Sequence, residues 1–133
     1  MHISSESLSK ALETPYWRKG ITATLKGIAY FGANKPITTG APLFVVWNFT
    51  NRCNLRCKHC YQNAGPSLAN ELNTNEALNV VKDLSESDVS SIAFSGGEPL
   101  LRQDFFKVAS YAKDCGMYVS VATNGTLITR EVA

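Results

Sequence analysis

Short apolar runs alternate with amphipathic stretches from residue 43 to residue 133, and that alternation leaves few folds open. Residues 43–49 (Leu-Phe-Val-Val-Trp-Asn-Phe) are apolar on both faces, as expected of a parallel strand covered by helices. A helix is expected from Thr74, read as its N-cap with Glu76 in the first turn. Ala77, Leu78, Val81 and Leu84 fall on one face of it at helical spacing. A second strand is expected over 91–94 and a second helix over 102–115, with Phe105, Ala109 and Ala112 inward and Gly116 as the stop. A third strand follows over 118–122, and a third helix begins at Thr129. Right-handed crossovers lay three such strands side by side and parallel. A sheet of only three leaves unpaired edges and uncovered apolar surface.

The loop after the first strand holds three of the four cysteines, Cys53, Cys57 and Cys60, spaced C-x3-C-x2-C. Three thiolates this close can grip three irons of a 4Fe–4S cluster and leave the fourth iron open to a ligand, whereas a ferredoxin-type carrier uses four cysteines. Two other readings of the same residues stay open. A zinc site would recruit His59 as fourth ligand, although structural zinc sites favour two spaced pairs. A thiol-redox site would use Cys57 and Cys60 as a C-x-x-C pair and leave Cys53 unexplained. Cys115 stands alone on the inward stripe of the second helix and reads as a small buried apolar residue.

Directly after the second strand comes Ser95-Gly96-Gly97-Glu98-Pro99. Two glycines there permit positive φ and close approach of a ligand to free backbone groups. Glu98 adds a carboxylate suited to an ammonium group, and Pro99 suits the first turn of a helix. An ordinary tight strand-to-helix turn accounts for the same residues.

Cys53, Cys57, Cys60 and Tyr61, then Gly96-Gly97-Glu98-Pro99 one βα unit later, then Thr123-Asn124-Gly125 after the third strand, together resemble the radical S-adenosylmethionine (radical SAM) superfamily. The wording around the motifs (Asn54-Leu55-Arg56 and Leu100-Leu101-Arg102) is most like the branch with a C-terminal SPASM-type cluster domain. The resemblance spans about residues 43 to 130. It implies an α/β fold, the N-terminal half of a partial (β/α)6 barrel, with three parallel strands in residues 42–133 and a helical extension and linker in 1–41. It implies two cofactors, a 4Fe–4S cluster on Cys53, Cys57 and Cys60 and S-adenosyl-L-methionine on its open iron. Gly96, Gly97, Glu98 and Pro99 would meet the methionine end, with Glu98 nearest the amine. The backbone at His59, a position usually aromatic in the family, would contact the adenine, and Asn124 would lie near the cofactor. Reductive cleavage to a 5′-deoxyadenosyl radical would then abstract hydrogen from a substrate, whether peptide, porphyrin or small metabolite. A ferredoxin or flavodoxin would supply the electron. The expectation is an N-terminal fragment of a longer enzyme, inactive alone; the rival is a small protein that pairs with another chain.

Residues 16–31 are amphipathic, basic and aromatic. They read either as a membrane-surface helix or as a packing helix with Ile21, Leu25 and Ile28 facing the core. Residues 32–42, with two prolines and two glycines, read as a linker. No apolar run is long enough to cross a membrane and no secretory leader is visible. A tight cysteine cluster fits a reducing, cytoplasmic setting better than a disulfide scaffold. A net charge of +2 with scattered basic residues is no nucleic-acid footprint. Tyr61 is expected to pack over the cysteine loop. Arg102 is expected to bond nearby backbone or Asp104.

Overall fold

The computed structural model describes residues 5–33 and 40–132. Helix α1 (Ser5–Glu13) runs into α2 (Pro15–Phe31); strand β1 (Phe44–Thr50) follows, then α3 (Thr74–Glu86), β2 (Ser91–Gly96), a 3-10 turn (Pro99–Leu101), α4 (Phe105–Asp114) and β3 (Tyr118–Val121). The strands are all parallel in the order β1-β2-β3, so β2 is central and the other two are edges. These are the three parallel strands expected from the alternation, and their arrangement is that of the half-barrel the family resemblance implies.

Alternation along the strands separates two faces. Val45, Trp47, Phe49, Ile92, Phe94 and Val119 face α3 and α4 and form the core with Val81, Val89, Phe105 and Val108. Phe94 is fully buried and meets Phe49 and Phe105 edge-on at 5.1 and 5.5 Å. The opposite face presents Phe44 and Val46, both more than half exposed, in register with Ser91 and Ala93. Residues 43–49 are thus covered on one face only among the described residues.

Several boundaries shift for local reasons. The N-cap of α3 is Asn73, not Thr74. The Asn73 carboxamide accepts from the N–H groups of Asn75 and Glu76, and the Glu76 carboxylate accepts from the N–H of Asn73, a complete capping box. Thr74 turns its hydroxyl to Asp104 at 2.9 Å instead. The second helix begins late because Pro99 opens a separate 3-10 turn, and its buried stripe is Phe105, Val108 and Ala112, with Ala109 at the margin. No helix forms at Thr129 within the described residues. Residues 130–132 make a turn closed by one bond, from the Val132 N–H to the Thr129 carbonyl, short of the several bonds that offset helix nucleation.

Helix α2 crosses the N-terminal ends of the strands, but not on the stripe expected. Ala23 and Gly27 are its buried residues; Ile21, Leu25 and Ile28 are exposed by 36%, 60% and 37%. On the buried side the Gly40 N–H donates to the Ala23 carbonyl at 3.1 Å and the Gly40 backbone lies over Gly27. Lys19 donates to the Ser85 carbonyl and hydroxyl at 2.7 and 2.9 Å, Lys26 pairs with Asp88, and the Tyr16 ring meets Tyr118 at 5.5 Å. Most of the expected linker, 34–39, lies outside the described residues.

Candidate metal centre

The C-terminal ends of the three strands carry the three sequence motifs, where open parallel sheets place their ligands. How the chain leaves β1 sets the site. Asn48 pairs with Ser95 and Thr50 with Gly96, so one extra residue on β1 forms a bulge that redirects the chain. Past it, Asn51 and Cys53 bond to Gly65: the Gly65 N–H donates to the Asn51 carbonyl at 2.8 Å and the Cys53 N–H to the Gly65 carbonyl at 2.9 Å. Residues 53–64 therefore form a closed loop. Arg56 braces it from within, its Nη1 donating to the Ala64 carbonyl at 2.7 Å. Glu71 holds its root, accepting from Thr50 Oγ1 and from the N–H groups of Asn51 and Leu68 at 2.8–3.0 Å.

All three cysteines of the motif ride on this loop as free thiols, Cys53 half-buried and Cys57 and Cys60 exposed. The backbone N–H of Ala64, then those of Gln62 and Asn63, outweigh desolvation and hold the Cys60 thiol below its ordinary value. Three thiols on one short loop, one of them ringed by N–H donors, suit a thiolate-held iron–sulfur group. Among the described residues no three His, Cys, Asp or Glu side chains are gathered around one point as a single ion requires. A cluster takes each thiolate at a separate iron and has no such need. His59 sits exposed on the turn between Cys57 and Cys60.

The glycine turn is built differently from the expectation of free backbone groups. Gly96 has φ +112°, and a Cβ on it would lie 2.4 Å from the Thr50 carbonyl oxygen; one on Gly97 would lie 2.2 Å from that of Arg52. The Gly97 N–H donates to Thr50 and the Glu98 N–H to Arg52, at 2.7 and 2.8 Å. The glycines thus admit the root of the cysteine loop, and those two N–H groups are spent on it. Pro99 is buried at the start of its 3-10 turn. Glu98 is fully buried, and its carboxylate accepts from the Thr123 hydroxyl (2.9 and 3.0 Å), the Asn124 N–H (2.7 Å) and the Leu100 N–H (3.0 Å). Its side chain faces the chain's own third motif.

Two further ties close the site. The Tyr61 hydroxyl reaches Ser95 Oγ at 3.3 Å while the ring stays mostly exposed, so Tyr61 spans from the cysteine loop to β2. Asn124 Nδ2 lies 2.9 Å from Asn54 Oδ1 and 4.0 Å from Cys53 Sγ. Arg102 does more than expected: it pairs with Asp104 at 2.7 Å, donates to the carbonyls of Phe49 and Leu72 at 3.0 Å, and stacks over the Phe49 ring at 4.0 Å. Sequence reasoning missed Asn54 and Glu71. Asn54 sits inside the cysteine motif and carried a signal by position alone; Glu71 carried none, because two of its three partners lie 20 and 21 residues back.

Residues 47–133 match the profile of the radical SAM superfamily. The chain is 49% identical over 90 residues to the Fe-coproporphyrin III synthase of Methanosarcina barkeri, a stretch covering 67% of this chain and 23% of that protein. Against the PqqA peptide cyclase of Bradyrhizobium diazoefficiens it is 38% identical over 95 residues, 71% of this chain and 25% of the relative. The chain thus spans about a quarter of the length of the curated relatives it matches. Among solved structures, Streptococcus suis SuiB bound to S-adenosylmethionine superposes with a TM-score of 0.62 at 20% identity, over 99% of this chain and 28% of SuiB. That likeness concerns the fold.

Proposed function

The chain belongs to the radical SAM superfamily, whose members use a 4Fe–4S cluster and S-adenosylmethionine, and we propose that it carries the cluster-bearing part of such an enzyme. On this reading Cys53, Cys57 and Cys60 hold the cluster, and residues 42–133 form the first half of the catalytic barrel. Helix α2 braces the N-terminal ends of the strands. The observation that supports it most is the meeting of the cysteine loop, the glycine turn and the Thr123–Asn124 loop at one end of the sheet, joined by direct hydrogen bonds.

When bound, the two cofactors supply a one-electron cleavage of the sulfonium C–S bond and a 5′-deoxyadenosyl radical that takes hydrogen from a substrate. The chain's own residues bind and orient. Backbone N–H groups stabilise the Cys60 thiolate. The bulge and the two glycines bring the end of β2 against the root of the cysteine loop, so Cys53 and the Gly96–Gly97 turn, which would hold the cluster and the methionine end of the cofactor, stand side by side. With Glu98 turned inward, we assign the methionine amine to the carbonyl groups of the Gly96–Gly97 turn rather than to that carboxylate. The backbone at His59 borders the adenine on this reading, and Asn124 stands beside the cluster.

The relatives support one substrate class over another. An Fe-coproporphyrin III synthase and an AdoMet-dependent heme synthase are 49% and 42% identical to the chain over the matched stretch, a mycofactocin maturase and a PqqA peptide cyclase 37% and 38%. We propose a tetrapyrrole substrate, a low-potential ferredoxin or flavodoxin as electron donor, and a cytoplasmic setting. No helix among the described residues is long and apolar enough to cross a membrane.

Anaerobic reconstitution with iron and sulfide tests the reading. The expected product is brown and holds about four irons and four sulfides per chain, with a reduced-state paramagnetic signal that S-adenosylmethionine perturbs. Replacing Cys53, Cys57 or Cys60 by alanine abolishes it, and Cys115→Ala does not. One zinc without sulfide, lost on His59→Ala, would overturn the cluster in favour of a structural metal site. Binding of a coproporphyrin rather than a peptide supports the substrate class; the reverse refutes it.

A further inference from the structure

Beside Cys53 lies a closed ring of three side-chain hydrogen bonds. Asn124 Nδ2 donates to Asn54 Oδ1 at 2.9 Å, Asn54 Nδ2 donates to Thr126 Oγ1 at 2.8 Å, and the Thr126 hydroxyl donates back to Asn124 Oδ1 at 2.7 Å. Every donor in the ring points the same way round, so each bond polarises the next. The Thr126 backbone N–H also donates to Asn124 Oδ1 at 3.0 Å. A backbone N–H can only donate, so it fixes which end of the Asn124 carboxamide is oxygen. The nitrogen must face the other way, where Cys53 Sγ lies 4.0 Å off. From behind, the buried Glu98 carboxylate grips the Asn124 N–H and the Thr123 hydroxyl. The third motif is thereby clamped to both the first and the second.

We propose that Asn124 is a positioning residue for the cysteine-held cluster: fixed by its ring with Asn54 and Thr126 and tethered by Glu98, it presents an amide N–H to the Cys53 sulfur and makes the cluster easier to reduce. The inference rests on the function proposed above. A reduced iron–sulfur cluster carries one more negative charge, spread partly onto its sulfur ligands, and an N–H dipole aimed at such a sulfur favours that state. Reduction is the demanding entry to this chemistry, so the device acts where it matters. The Asn54-to-Asn124 bond also holds the cysteine loop to β3 independently of any metal.

The test is a redox titration of the reconstituted 133-residue chain, followed by its paramagnetic signal with no S-adenosylmethionine present. Asn124→Leu, similar in shape and uncharged, is expected to lower the reduced-to-oxidised ratio at a fixed applied potential by about threefold to tenfold, the range of one hydrogen bond of ordinary net strength. Asn54→Leu should shift it the same way by less, since Asn124 keeps its tether to Glu98. In the metal-free protein, Asn54→Leu should also speed hydrogen exchange at residues 123–126. Faster exchange with an unchanged potential would reduce the ring to a structural tie and overturn the proposal. If Asn124→Leu does not fold, Asn124→Asp carries the test, because it keeps the acceptor for Thr126 and loses the donor; a wild-type potential in that variant overturns the proposal equally. Wild-type protein that assembles no cluster would instead sink the proposed function, and this inference with it.

Discussion

Glu98 shows how one side chain serves differently from its first reading. Next to a pair of glycines, a carboxylate invites the assignment of an ammonium ligand. In the fold it is fully buried and has three donors of the chain itself: the Thr123 hydroxyl and the N–H groups of Asn124 and Leu100. A buried carboxylate needs such partners. Nothing local announces them, because two of the three lie 25 and 26 residues further on. Glu98→Ala strands these donors and is expected to destabilise the fold by about 3 kcal/mol, measured by urea unfolding of the metal-free protein. A loss below about 1 kcal/mol would mean that water replaces the carboxylate without difficulty. The cysteines behave in the opposite way: their spacing alone placed all three on one loop.

Among the elements, the contacts at strand ends matter more than the strands. The alternation of apolar runs located all three strands to within two residues. It could not show that β1 bulges at Asn48–Thr50, or that the two glycines of the second motif face protein backbone. Both facts come from the packing of one strand end on the next. They predict a graded series. Gly97→Ala, whose Cβ would fall 2.2 Å from a carbonyl oxygen, must separate the cysteine loop from β2 and should cost about 3 kcal/mol or more. Gly125→Ala has open space around it and only a positive φ of +76° to tolerate, for about 1 kcal/mol. Thermal unfolding of the two variants side by side checks the order. At α3 the sequence alone puts the N-cap one residue late, at Thr74, and misses the capping box of Asn73 with Glu76; Asn73→Ala should cost about 1 kcal/mol in the same measurement.

For the molecule as a whole, two acidic residues tie distant segments together and set the response to acid. Burial raises the Glu71 carboxyl, but the N–H groups of Asn51 and Leu68, the Thr50 hydroxyl and the charge of Arg102 together bring it below its ordinary 4.5. The Arg102 guanidinium, with help from Thr74 against desolvation, holds Asp104 below its ordinary 3.8. In both cases the folded value is the lower one. The stability each contributes is therefore complete above those ordinary values and is lost as the pH falls through the folded ones. Urea midpoints should be level from pH 7 to about 5 and decline below about 4. Arg102→Met should flatten the Asp104 part of that decline; an unchanged acid limb would show that the pair contributes nothing. The same scale explains the misjudged face of α2. Amphipathic spacing marks a stripe, but the residues α2 buries are Ala23 and Gly27, on the side where the Gly40 N–H bonds the Ala23 carbonyl.

Periodicity and spacing, both properties of the chain in one dimension, were enough to determine three parallel βα strands and a three-thiol loop at the first strand end; the half-barrel came from the family resemblance. The tertiary structure alone decided which groups at that end are left for a ligand and which are consumed by the protein, because hydrogen bonds between Thr50 and Gly97, Glu98 and Asn124, and Asn54 and Asn124 join segments that only folding brings within 3 Å.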